Sequence, residues 1–532
     1  MEHDYFAKLS CAVCSYILAA IFIYVLWKRA FNMAAMWKFR SDRRPYIVSF
    51  VVLALVGVIV LLGLYPSIIT IPPDTTYNYV YAREFMPMYW HGFFTNVVHC
   101  ACMIVFPHPL SMAIVPYLIG FFGLCHIVYK AAIEHCRRGL LWASIFAMFL
   151  LLMPETIQVL MYAGRNYQYA LLSVYTLSLF LIDYMDRVKL TWTKFLGRTA
   201  LVCFMACWRT EGIVYLAVYP FILYSIYYSN INILSKKTML KGLTILLGIF
   251  FLFTLLDKYG SEKYQGLDYM IINVPGPLAA VWTNNPDTDY RGYQEDLEAL
   301  NRVTPIDYIM KYGEMGTQNF NWDQLRISRQ SNAGNNGAGF VNAAYSILLH
   351  NYNIFIKYQF NNFAISNGLA PLFQLKNCPG EEWKPSEKVN NFRKNVLRYY
   401  QVGQNDIANN YDIVVINPSI DKKLSQIVTK FTTILYKNGM KYSAYVKIAL
   451  TLFTFVIVIE SFISKRWPYF WIGAAILIVL LIVILFSPAV RQNYYNSSFY
   501  NQYYFIFCYL FQLKVERDNK KQVTIKAFDA IE

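Results

Sequence analysis

Residues 195–228, FLGRTALVCFMACWRTEGIVYLAVYPFILYSIYY, form an apolar run that Arg209 and Glu211 interrupt near its centre. A single helix over this run would rise about 50 Å, whereas the hydrocarbon core of a bilayer is about 30 Å thick. A charge in the middle of a bilayer also costs several kcal/mol. The run therefore predicts two short spanning helices, joined by a turn at residues 208–212 (WRTEG).

The composition of the whole chain also indicates a membrane protein. Of its 532 residues, 57% are hydrophobic and 15% are charged, whereas soluble domains carry roughly 25% charged residues. The net charge of +16 would suit nucleic acid, but the basic residues lie in short clusters between apolar runs, as in cytoplasmic loops. We therefore expect membrane lipids, and no nucleic acid, among the partners. The 10 cysteines show no paired CxxC spacing, so we expect no disulfide framework.

The apolar runs define a multispanning topology, since each spanning helix needs roughly 20 apolar residues. With the basic clusters placed in the cytoplasm, the chain has about 11 spans, an external N-terminus and a cytoplasmic C-terminus. The short apolar segment 91–107 predicts a helix that lies in the outer membrane interface. Besides the pair in 195–228, the candidate spans lie near 9–28, 46–66, 110–130, 138–158, 166–186, 240–257, 444–464, 467–487 and 498–514.

This topology divides the chain into three parts. Residues 1–257 form an N-terminal transmembrane module, whose first outer loop covers 66–109. Residues 258–443, rich in Asn, Tyr, Asp and Gly, predict an extracytoplasmic domain of α or α/β class. Residues 444–532 hold the last transmembrane helices and a cytoplasmic tail. The fold class is a mainly α, multi-pass helical bundle of the cell (plasma or inner) membrane.

Polar residues that interrupt apolar sequence gather on the predicted outer face, and each has a structural and a functional interpretation. Asp74 follows two prolines that stiffen the backbone. It suits either a helix N-cap or a general base. Arg209 suits either an ion pair with Glu211 or the binding of a lipid-linked phosphate, which a guanidinium matches with a fork of donors.

Other outer residues leave the same choice open. Arg83 and Glu84 suit a solvated face, or phosphate binding in the case of Arg83. Arg165 lines the same predicted outer cavity, and Arg491 suits either an aromatic belt or a second phosphate or sugar contact. The three histidines of the region lack a further ligand at metal-binding spacing, so no zinc site is predicted; they are His91, His99 and His108.

The order of these features resembles the GT-C class of membrane glycosyltransferases, which includes protein mannosyltransferases and aminoarabinose transferases. The chain departs from the class where Tyr65-Pro66 lacks a following Gly, and where Gly92 instead of Pro follows His91. The resemblance rests on YPSIITIPPDTTYNY at 65–79, MYWHGFFTNVVH at 88–99, WRTEG at 208–212 and RQNYYNSSFYNQYYF at 491–505.

The resemblance implies an inverting enzyme that moves a sugar from a polyprenyl-phosphate donor to a glycan, lipid or protein acceptor. The active site would face outward, where Asp74 acts as general base and Glu84 as a second catalytic acid. Several members of the class need Mg²⁺ or Mn²⁺ and several do not, so the resemblance allows a divalent cation as a cofactor. The resemblance further implies donor-phosphate contacts from Arg209, Arg491, Arg83 and Arg165, and acceptor or sugar contacts from His91, Glu211 and Tyr77.

Other functions also fit a multispanning envelope protein. A polysaccharide polymerase or ligase that uses undecaprenyl-diphosphate glycans typically carries Arg-rich chemistry in a large late loop, whereas 258–443 is not notably basic. A lipid or glycan flippase would show ionisable residues inside its spans. The main acid in an apolar run, Glu460, lies near an inner end where Ser464-Lys465-Arg466 can neutralise it. A non-catalytic scaffold would also differ from the class where this chain departs from it.

Overall fold

The fold was analysed in a computed structural model, in which every regular element of the described residues is helical. The chain divides into two compact units. The first comprises Met1–Ser261, Trp383–Val479 and Asn496–Glu532, and the second comprises Glu262–Glu382 and Leu480–Tyr495. The structure describes residues 2–39, 44–64, 79, 81–86, 92–128, 130, 165–227, 236–261, 274–284, 286–313, 337–367, 369, 422–486 and 495–529.

Sixteen α-helices are described. They are α1 (Glu2–Phe39), α2 (Arg44–Leu64), α3 (Phe93–Val105), α4 (Ser111–Val128), α5 (Arg165–Met185), α6 (Trp192–Trp208), α7 (Ile213–Tyr227), α8 (Lys236–Ser261), α9 (Pro275–Thr283), α10 (Tyr293–Asn301), α11 (Ile306–Gly313), α12 (Gly337–His350), α13 (Tyr352–Ser366), α14 (Lys422–Ile463), α15 (Trp467–Phe486) and α16 (Asn496–Asp529).

Several of these helices are long and apolar enough to cross a membrane, so the chain is a mainly α membrane protein. The described parts of the predicted runs are mainly helical, and the run 138–158 lies outside the described residues. The total of about 11 spans stays a prediction. Six candidate spans are found in the described residues: Tyr5–Phe39, Ile47–Leu64, Ser111–Val128, Thr210–Tyr227, Tyr442–Ile463 and Trp467–Phe486.

The predicted break in 195–228 is confirmed. Helix α6 ends at Trp208, a 3-10 turn covers Thr210–Gly212, and α7 begins directly after it. The Gly212 N–H donates to the carbonyl oxygen of Arg209 over 2.8 Å. A Cβ on Gly212 would lie 2.2 Å from the Met205 carbonyl oxygen. The turn therefore requires glycine, because the two helices approach each other too closely for any side chain there.

Helix α3, in the segment 91–107 that was predicted to lie in the outer interface, is packed among other helices of the first unit. Helix α3 is buried at every position from Phe93 to Cys102. Its Phe94 ring lies 5.3 Å from Phe204 of α6 and 5.2 Å from Phe253 of α8. The apolar surroundings of α3 are supplied by neighbouring helices.

The central segment contains short helices and the beginning of a long one. Helices α9 to α13 belong to the second unit, whose buried core includes Leu278, Phe340 and Ile347. Among the described residues of 258–443 there is no strand. Helix α14 begins at Lys422, within this segment, and runs without a break to Ile463. Its 42 residues rise about 60 Å, twice the thickness of a hydrocarbon core.

Candidate functional site

Helices α5, α7 and α16 of the first unit run parallel, so their N-terminal ends meet at one end of that unit. The Ser173 hydroxyl of α5 donates to the Asn501 side chain of α16. Further along both helices, Tyr184 of α5 and Tyr509 of α16 contact the same Tyr469 ring, so α5 and α16 run in the same direction.

Helices α5 and α7 are parallel by the same kind of evidence. Phe180 of α5 contacts Tyr219 of α7, and further along both helices Asp183 accepts a hydrogen bond from Tyr227. Helix N-termini carry positive dipole ends and unpaired N–H groups. Their shared end therefore favours an anion.

The opposite end of these helices carries ion pairs. Arg198 pairs with Asp183 at 2.9 Å, and Arg466 pairs with Glu516 at 2.8 Å and also with Glu460. The predicted neutralisation of Glu460 by the Ser464-Lys465-Arg466 corner is thereby confirmed through Arg466. Burial alone would lower the pKa of the Arg466 guanidinium, but the carboxylates of Glu516 and Glu460 raise it above its ordinary value.

Arg209 and Glu211 form a buried ion pair at the turn between α6 and α7. The Arg209 Nε lies 2.5 Å from the Glu211 Oε1, and the two side chains are only 8% and 6% exposed. The guanidinium also donates to the Asn166 side-chain oxygen and lies 5.5 Å from the centre of the Tyr169 ring. The pair thus holds a charged, oriented guanidinium at the end where the helix N-termini meet.

Beneath this pair, a hydrogen-bonded layer joins the three parallel helices. The Asn501 amide donates to the Ser173 hydroxyl at 3.1 Å and to the Tyr215 hydroxyl at 3.0 Å. All three side chains are buried. Because each helix contributes one member, this layer fixes the relative position of α5, α7 and α16, and with them the residues one turn closer to their N-termini.

Of the residues predicted for the site, the structure brings Arg209, Glu211 and Arg165 together. Arg165 begins α5 and lies close enough to act electrostatically on Tyr169 and on Asp257. Four predicted site residues lie outside the described part of the chain, namely Asp74, Tyr77, His91 and Arg491.

Arg83 and Glu84, from the first predicted outer loop, are exposed. The Arg83 guanidinium lies 5.9 Å from the centre of the Tyr79 ring. Burial raises the pKa of the Tyr79 hydroxyl, and Arg83 partly offsets this. In the same region, burial lowers the pKa of the His108 imidazole, which favours its neutral form.

The chain matches no protein-family model, no curated protein and no solved structure. Function is therefore inferred from the residues of the site and from the sequence resemblance.

Two charged residues that the sequence reasoning did not single out belong to this end of the first unit. Lys447 of α14 is 1% exposed and lies 5.4 Å from the centre of the Phe499 ring. Asp257 of α8 accepts the Phe93 N–H at 2.9 Å and so caps α3. Both lie in or at the edge of a predicted span, where an ionisable residue is a signal in its own right.

Gly92, which directly precedes α3, lies close to the same carboxylate. Gly92 has φ of 79° and a Cβ there would lie 2.9 Å from the Asp257 carboxylate.

No group of three or more His, Cys, Asp or Glu residues that could hold a metal ion occurs among the described residues.

Proposed function

We propose that this protein is an inverting membrane glycosyltransferase that moves a sugar from a polyprenyl phosphate to a glycan, lipid or protein acceptor. The observation that carries the proposal is the buried Arg209, held by Glu211 and Asn166 where three parallel helices begin. Helix N-termini and an oriented guanidinium both favour a bound phosphate. Such a group would stabilise the negative charge on the departing lipid phosphate.

The proposed reaction assigns a role to each side of the sugar. The acceptor hydroxyl oxygen attacks the anomeric carbon as its proton passes to Asp74, and the bond from that carbon to the phosphate oxygen breaks. Displacement from the opposite face inverts the anomeric centre. Arg209 and Arg165 hold the leaving phosphate, with Arg491 and Arg83 as further contacts. Glu84 is the proposed second acid.

We assign Glu211 a different role from the sugar contact that the resemblance implied. Its carboxylate pairs with Arg209, and this supports a role in orienting the guanidinium. His91 and Tyr77 stay the proposed acceptor or sugar contacts. We further propose a GT-C bundle of about 11 spans in the cell membrane, with the site on the extracytoplasmic face. A requirement for Mg²⁺ or Mn²⁺ is left to direct assay.

A lipid or glycan flippase is the second candidate, and Lys447 favours it. An ionisable residue inside a transmembrane helix often marks a substrate path. Lys447 lies in the candidate span Tyr442–Ile463 and is 1% exposed. A flippase would move a labelled polyprenyl-linked sugar across proteoliposomes that contain no acceptor, whereas a glycosyltransferase would need the acceptor for turnover.

We expect wild-type protein in proteoliposomes to transfer a sugar from a panel of polyprenyl-phosphate donors. Asp74→Asn should lower this rate by about 100-fold or more, because a general base contributes about 10² to 10⁴ in rate. Radiolabelled sugar incorporation into the acceptor is the measurement. The control is Asp186→Asn, which removes an acid that pairs with Lys130 beyond the C-terminal end of α5.

Each other outcome of this assay decides a specific point. Equal transfer by wild type and Asp74→Asn would remove Asp74 from the role of base. Activity on diphosphate-linked oligosaccharides alone would assign the protein to the polymerases or ligases. Lipid movement without any transfer would favour the flippase.

A further inference from the structure

A second polar layer lies one helical turn above the bonded layer of Ser173, Asn501 and Tyr215. Residues four positions apart lie on the same face of a helix. Because α5, α7 and α16 run parallel, stepping back four residues moves toward the same end on each helix. The step leads to Tyr169 on α5, Ser497 on α16 and Glu211 just before α7.

The hydroxyl and amide groups of this layer are buried without hydrogen-bond partners in the described chain. These groups belong to Tyr169, Asn496, Ser497 and Ser498, each at most 3% exposed. A buried hydroxyl or amide without a partner costs free energy, so native structures rarely keep several together. Asn496, Ser497 and Ser498 form the first turn of α16, and Tyr169 lies at the same level on α5.

Lys447 of α14 lies at the same level as this layer, because α14 also runs parallel to α16. The Thr451 hydroxyl bonds the Gln502 side chain at 3.2 Å, and Glu460 bonds Tyr509 further along, so α14 is parallel to α16. Four residues before Thr451 is Lys447, and four residues before Gln502 is Ser498. The buried ammonium and the serine hydroxyls thus lie at the same level of the bundle.

Among the described residues, this end of the first unit holds three basic side chains, those of Arg165, Arg209 and Lys447, and two acidic ones, those of Glu211 and Asp257. The N-terminal dipole ends of three helices add positive potential there. Hydroxyl donors, a buried ammonium and helix N-termini are together the features that bind an oxyanion.

We propose that this layer binds a phosphate group, with Lys447 as a binding cation and the hydroxyls of Tyr169, Ser497 and Ser498 as donors to its oxygens. The inference deepens the proposed function, and rests on it for the view that the phosphate belongs to a polyprenyl lipid. Phosphate binding itself is separable, because it requires no sugar transfer.

The test is equilibrium binding of farnesyl phosphate, farnesol and inorganic phosphate to the purified full-length chain in lipid nanodiscs. We expect Lys447→Met, and separately the double variant Ser497→Ala/Ser498→Ala, to raise the Kd for farnesyl phosphate by about tenfold. Thr454→Val is the matched control, since its buried hydroxyl on α14 donates to the Leu450 carbonyl of its own helix. It should change the Kd by less than about twofold.

The serine double variant keeps the test decisive if Lys447→Met does not fold, because it removes only two hydroxyls. Unchanged affinity in the serine variant and in Lys447→Met would overturn the proposal. Binding of farnesol as tight as that of farnesyl phosphate would also overturn it. Competition by inorganic phosphate would show that the phosphate alone suffices, whereas binding of farnesyl phosphate only would identify a lipid headgroup site.

The outcome also separates this inference from the proposed function. Phosphate binding that the variants weaken, in a protein that transfers no sugar from any donor, would leave the site standing and remove the glycosyltransferase. Sugar transfer by a protein whose variants keep their phosphate affinity would support the glycosyltransferase function and remove this phosphate site.

Discussion

Arg209→Gln is expected to lower the free energy of unfolding by about 3 to 5 kcal/mol, because it leaves the Glu211 carboxylate buried without its cation. The pair is 8% and 6% exposed, so water cannot replace the lost partner. Chemical unfolding in detergent micelles, followed by tryptophan fluorescence, measures the change. A loss below about 1 kcal/mol would show that Glu211 is solvated or neutral, and would contradict the buried-pair geometry.

The double variant Arg209→Gln/Glu211→Gln separates stability from phosphate binding. Two neutral amides can bond each other, so we expect most of the stability lost in Arg209→Gln to return. Binding of farnesyl phosphate should not return, since the guanidinium is still missing. Arg198→Gln is the control, because Arg198 forms a part-buried ion pair with Asp183 at the opposite end. It should destabilise the protein while leaving farnesyl phosphate affinity unchanged.

Gly212→Ala is expected to destabilise the protein by about 3 kcal/mol or more, because the new methyl group overlaps backbone atoms. Its Cβ would lie 2.2 Å from the Met205 carbonyl oxygen and 3.0 Å from the Ala206 Cα. Backbone in the last turn of α6 cannot move aside as a flexible side chain can. The measurement is the midpoint of thermal unfolding together with the yield of monodisperse protein.

Gly197→Ala on the same hairpin is the matched control for this prediction. A Cβ on Gly197 meets nothing within 4 Å, and alanine favours a helix over glycine by about 0.5 to 1 kcal/mol. We therefore expect Gly197→Ala to leave stability unchanged or to raise it. Equal tolerance of the two substitutions would show that α6 and α7 are not held as closely as described.

Hydropathy predicted helices at the described apolar runs, but neither their surroundings nor their ends. The break at WRTEG could be predicted because one helix over 195–228 would be too long and would bury two charges. The burial of Phe93–Cys102 by other helices was not predicted, because apolar residues alone do not distinguish a lipid environment from a protein one. The start of α14 at Lys422 was also not predicted, since hydropathy locates a span and not the polar turns that extend its helix.

The candidate site could be predicted only where its residues interrupt an apolar run. Arg209 and Glu211 stood out for that reason, and the structure pairs them. The layer above Ser173 and Asn501 could not be predicted, because these residues are 328 positions apart and meet only through the parallel packing of α5 and α16. Lys447 gave a signal, as a lone cation in a span, that the sequence reasoning passed over.

We propose that a lipid-linked phosphate binds where α5, α7 and α16 begin. The most direct measurement is a cryo-electron microscopy structure of the full-length chain in lipid nanodiscs saturated with farnesyl phosphate. We predict phosphate density within hydrogen-bonding distance, about 2.7 to 3.2 Å, of the Arg209 guanidinium, with Lys447 and the α16 N-terminus beside it. Phosphate density elsewhere on the protein, with only Glu211 and Asn166 on the Arg209 guanidinium, would contradict the claim.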